Sequence, residues 1–77
     1  MLSQEELERI RAEAEIICKP YGVGIFSVEA FPDTSGGGAS VSIRLPEGMG
    51  VDANEVAEAA SRLERLPGVA RVFVTLP

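Results

Sequence analysis

A chain of 77 residues makes one small domain, 1–77, expected to bury roughly 60–65% of the surface its unfolded form exposes. Hydrophobic residues at 45% and charged ones at 25% exclude a disordered or low-complexity chain. A net charge of -5 argues against nucleic acid or anionic lipid as a partner, and a single cysteine excludes an intramolecular disulfide.

The first helix is expected over residues 2 to 19. Ser3 and Glu6 have capping-box spacing, and Leu2 and Leu7 sit where a hydrophobic staple would close over them. Leu7, Ile10, Ala14 and Ile17 form the apolar face, while Glu5–Arg9, Arg11–Glu15 and Glu15–Lys19 are four apart on the wet side. Pro20 disfavours helical geometry at Lys19, and Gly22 and Gly24 loosen the corner into a strand.

"VGIFSVEAFP" predicts that strand, with Phe26, Val28 and Ala30 on one side and Ile25, Ser27, Glu29 and Phe31 on the other. "PDTSGGG" is expected to be a flexible connector, too long for a two-residue turn but within reach of a longer hairpin loop, and "ASVSIRL" a half-buried strand with Ala39, Val41, Ile43 and Leu45 inward. Asp52 with Glu55 repeats the cap spacing, Val51 and Val56 take the staple positions, and the second helix should run from about Ala53 to Leu66. Its stripe is Val56, Ala59, Leu63 and Leu66, beside Ala60. Pro67-Gly68 then turns the chain so that Val69 to Leu76 joins the sheet.

The order helix, strand, strand, helix, strand predicts an α+β fold, a two-layer αββαβ sandwich. The first two strands should pair antiparallel, and a right-handed crossover should set the third parallel to the second. That is a three-stranded mixed sheet with both helices on one face. The other face should carry Ile25, Phe31, Val69 and Phe73 among Ser27, Ser40, Ser42, Arg71 and Thr75. Ile25, Phe31, Val69, Arg71 and Phe73 are therefore the expected interface of a homodimer, because large apolar patches on monomers usually mark contact surfaces.

Chemistry is sparse. Zero histidines remove the usual general base and the commonest metal ligand, so no triad with histidine can form. Cys18 lies beside the apolar side of the first helix and reads as a packing thiol. Glu5, Glu6, Glu8, Glu13 and Glu15 spread around a solvated surface, and "SGGG" lacks the lysine and hydroxyl of a phosphate loop. No catalytic, cofactor or metal site is expected. The apolar runs fall far short of the ~20 residues of a membrane helix. With the acidic first turn and the lone thiol, that makes a cytoplasmic protein without membrane insertion the expectation.

The runs "YGVGIFSVEAF" and "ASVSIRLPEGMGVDANEVAEAASRLERLPGVARVFVTLP" resemble the cytoplasmic C-terminal domain of cation diffusion facilitator transporters. The resemblance rests on a strand introduced by Gly-Val and on the closing "LPGVARVFV", and it covers most of the chain. It implies a metallochaperone-like, ferredoxin-like fold that pairs into a V-shaped dimer and regulates an attached transporter by binding divalent metal between protomers. The family places histidines and acids at those metal sites. With no histidine, this chain is expected to be a regulatory and dimerisation module without them, partnered by a membrane transporter or another protein. Three alternatives stay open. One is a small metal-binding or metal-delivery protein using Cys18 with carboxylates. Another is an accessory domain like those of iron–sulfur assembly, which share "LPGVARVFV", or like the N-terminal domain of a ribosome maturation factor, to which "GVDANEVAEAASRL" is similar. A small-molecule sensor or enzyme is the last.

Overall fold

In the computed structural model, residues 2–21, 27–45 and 52–75 are described. Two helices and a three-stranded mixed sheet make up an α+β fold: α1 (Gln4–Cys18), a 3-10 turn (Lys19–Tyr21), β1 (Ser27–Pro32), β2 (Ala39–Arg44), α2 (Ala53–Glu64) and β3 (Val69–Thr75).

Both helices begin where a side-chain oxygen can take an orphan amide. Ser3, in extended conformation, accepts the Glu6 N–H at 3.2 Å, and Asp52 accepts from Asn54 and Glu55 at 2.8 and 3.4 Å. Leu2 packs against the buried cluster to which Leu7 belongs. The second staple residue expected, Val51, lies outside the described residues. On the wet side of α1, Arg11 pairs with Glu15 at 2.7 Å, but Arg9 pairs with Glu13 at 3.2 Å and not with Glu5. One guanidinium chooses between carboxylates a turn away in either direction, and each such contact is worth only a few tenths of a kcal/mol. The expected Glu15–Lys19 pair does not form either.

The second helix ends earlier than expected, at Glu64. Pro67 disfavours helical geometry at Leu66, so the chain tightens first: Arg65 and Leu66 donate to the carbonyls of Arg62 and Leu63. Val69 then donates to the Leu66 carbonyl at 3.1 Å across Pro67-Gly68, with Gly68 at φ 90°. Proline followed by glycine at positive φ is the preference of a type II turn.

β2 is the central strand, antiparallel to β1 and parallel to β3. One buried cluster unites Leu7, Ile10, Ala14 and Cys18 of α1 and Val56 and Leu63 of α2 with Val28, Ala39, Val41 and Ile43 of the strands. Cys18 takes the last place in the α1 stripe, leaving Ile17 half-buried. Phe26, expected in this core, lies outside the described residues.

Two expectations need correction. The β1–β2 connector is a tied turn: Asp33 donates to the Gly38 carbonyl, Gly36 donates to the Asp33 carbonyl, each at 3.0 Å, and Ala39 donates to the Gly68 carbonyl at 2.7 Å. Val69 also does not join Arg71 and Phe73 on the open side. The register shifts between Ala39, opposite Val69, and Ser40, opposite Arg71, so β3 carries an extra residue there. That residue reverses the alternation, and Val69 packs against the buried cluster.

Candidate interaction surface

Away from the buried cluster, the described strands present three cross-strand rows. Phe31, Ser40 and Arg71 are opposite one another, then Glu29, Ser42 and Phe73, then Ser27, Arg44 and Thr75. Phe31 and Phe73 are 48% and 49% exposed. Their neighbours are mostly hydroxyl and guanidinium side chains, and Ser42 and Thr75 share a hydrogen bond at 3.4 Å. The surface is thus more polar than expected, since Val69 turns inward and Ile25 lies outside the described residues. Of the five interface residues expected, Phe31, Arg71 and Phe73 share this face.

Arg71 is anchored from beneath by a residue the sequence reading passed over. Asp33, in the turn after β1, is only 6% exposed. Its carboxylate accepts from the Ser35 hydroxyl, from the Ser35 N–H at 3.1 Å and from the Ser40 hydroxyl at 2.6 Å, and it meets Arg71 Nε at 3.3 Å. The Ser35 hydroxyl contributes most, followed by the Ser40 hydroxyl and the Ser35 N–H. Against the cost of burial, and with help from Arg71, they hold Asp33 down at about 2. Every buried side-chain polar atom among the described residues has a partner, so this carboxylate is fully employed in holding the turn to β2 and β3. The available signal was Asp-Thr-Ser-Gly after a proline, the composition of an Asx turn.

Two further side chains have shifted titrations, Cys18 and Tyr21. Cys18 is buried, and burial, then the charge of Glu15, raises its thiol above the ordinary value. The Arg62 guanidinium lies 5.9 Å from the centre of the Tyr21 ring, and the Tyr21 hydroxyl is raised by desolvation first and by the neighbouring Glu58 carboxylate next. No cluster of three or more potential metal ligands occurs among the described residues. No helix among them is long and apolar enough to cross a membrane. Compared with known proteins, the chain matches no family model, no curated protein and no solved structure.

Proposed function

We propose that the chain is a non-enzymatic regulatory module that acts as a homodimer in the cytoplasm. It would be the kind of module its sequence resembles in the cation diffusion facilitators, working without their histidine ligands and serving a membrane transporter or another protein. The observation that carries this reading is the exposure of two aromatic rings, Phe31 and Phe73 at 48% and 49%, on the face of the sheet away from the buried cluster of so small a fold. Covering ~300 Å² of such surface on each copy gains roughly 7–8 kcal/mol gross per copy, against which association entropy is set. Light scattering from low to high micromolar concentration tests it. The wild type is expected to pass from monomer to dimer, and Phe73→Glu to remain monomeric. A wild type that stays monomeric throughout overturns the reading.

A further inference from the structure

The two edges of the sheet are built differently. Peptide groups along a strand point alternately to one neighbour and to the other. Asp33 donates across to Gly38, so Phe31, Glu29 and Ser27 aim their peptide groups at β2, and Val28, Ala30 and Pro32 aim outward. Pro32 has no N–H to offer there, which is a common device for blunting an edge against a further strand. On the opposite edge, Leu45 donates to the Thr75 carbonyl at 3.1 Å. Thr75, Phe73 and Arg71 therefore face β2, and Val72 and Val74 offer complete peptide groups outward. β3 reads VARVFVT, with no proline, lysine or acid, and no strand among the described residues lies beyond it.

We propose that β3 pairs antiparallel with the β3 of a second copy about a two-fold axis through Phe73, so that the two sheets become continuous. The proposal rests on the dimeric reading above and gives it a seam. Several features set the register. Past the extra residue near Val69, the regular part of β3 among the described residues is Arg71–Thr75, and Phe73 is its midpoint. Centred there, Val72 meets the partner's Val74, and outward peptide groups exchange both hydrogen bonds of a narrow pair. Val74 is 40% exposed although its β2 neighbour Ile43 is fully buried, and this pairing covers it. The two Phe73 rings face each other as an aromatic cross-strand pair, and Arg71 meets the partner's Thr75. An axis at Arg71 would instead oppose two guanidinium groups.

Cysteine scanning tests the seam. Phe73→Cys would place two thiols on directly opposed residues with Cα atoms ~4.5 Å apart, within disulfide reach, whereas Val72→Cys would leave them on a diagonal of roughly 7–8 Å, beyond it. Under mild oxidation, Phe73→Cys is expected to give a linked dimer, and Val72→Cys and the exposed control Ser61→Cys are not. Val74→Pro removes an outward N–H and spares the ladder to β2. It is expected to weaken the dimer about tenfold or more in light scattering while circular dichroism shows the fold intact. A wild type that dimerises while Phe73→Cys links no faster than Ser61→Cys, or while Val72→Cys links equally well, overturns the edge seam and leaves the dimeric reading standing. So does a folded Val74→Pro that dimerises as the wild type does. A wild type monomeric at every concentration, with Phe73→Cys unlinked, overturns both.

Discussion

Three consecutive glycines, Gly36, Gly37 and Gly38, sit in different circumstances, so replacing each by alanine separates backbone strain from collision. A Cβ on Gly37 meets nothing within 4 Å, and its φ is not in the left-handed region. Gly37→Ala should therefore act only on the unfolded chain and stabilise by about 0.4–1 kcal/mol. Gly36 is equally open but has φ 82°, so its alanine should cost about 1–2 kcal/mol. Gly38 combines φ 105° with a Cβ position 2.8 Å from the Gly68 carbonyl oxygen and 3.2 Å from the Ala70 Cβ. That carbonyl also accepts the Ala39 N–H at 2.7 Å, so moving it disturbs the first bond between β2 and the Pro67-Gly68 turn. Strain of about 1–3 kcal/mol plus a weakened hydrogen bond of about 0.5–1.5 kcal/mol brings the loss to roughly 1.5–4.5 kcal/mol. For a chain of 77 residues, total stability is about 4–12 kcal/mol, so this is a large share of it. Urea unfolding followed by far-ultraviolet circular dichroism should rank the variants Gly37→Ala, wild type, Gly36→Ala, Gly38→Ala from most to least stable. Equal losses at Gly36 and Gly38 would refute the contact between the two turns. Three alanines without effect would mean that the turn is not held at all.

Ser3→Ala should lower stability by about 1 kcal/mol through loss of the bond to the Glu6 N–H. Ser3→Asp should restore most of that in the same melts, and an alanine variant indistinguishable from wild type would place the start of α1 elsewhere. Asp33 titrates lower in the folded chain than in the unfolded one. Its stabilisation is thus complete above about pH 4 and is lost as the pH falls toward about 2, while the unfolded chain takes up the proton first. Urea midpoints measured across that window should fall with pH in the wild type and fall less steeply in Asp33→Asn. Parallel slopes would show that the carboxylate is not held as described.

What was legible in the sequence was what is decided within a few residues. Ser3 and Asp52 announce helix starts because a short side-chain oxygen reaches an amide two or three positions on. Pro67-Gly68 announces a corner because one residue fixes φ and the next accepts a positive one. The strand order follows from connection length and crossover handedness. The misses involve groups far apart along the chain. Asp33 looks like an ordinary turn residue until Ser40 and Arg71 are brought to it from β2 and β3. Val69 obeys strict alternation on paper, and only pairing with Ala39 reveals the extra residue that turns it inward. Arg9 had two partners of nearly equal worth, and sequence cannot rank a difference of a few tenths of a kcal/mol.

The position of Cys18 makes the chain its own reporter of opening. It is the only thiol, it lies 2% exposed at the end of α1, and its ionisation is suppressed by burial and by Glu15. Because the thiolate is the reacting species, an aromatic disulfide reagent must wait until that last helical turn leaves the sheet. When reclosing outpaces reaction, the labelling rate divided by that of a free thiol gives the equilibrium constant for exposure at this one atom. Set beside the free energy from urea melts, it distinguishes two kinds of molecule. Equal values mean that α1 departs only when everything does; a smaller value at Cys18 means that the helix peels away from a sheet that persists without it.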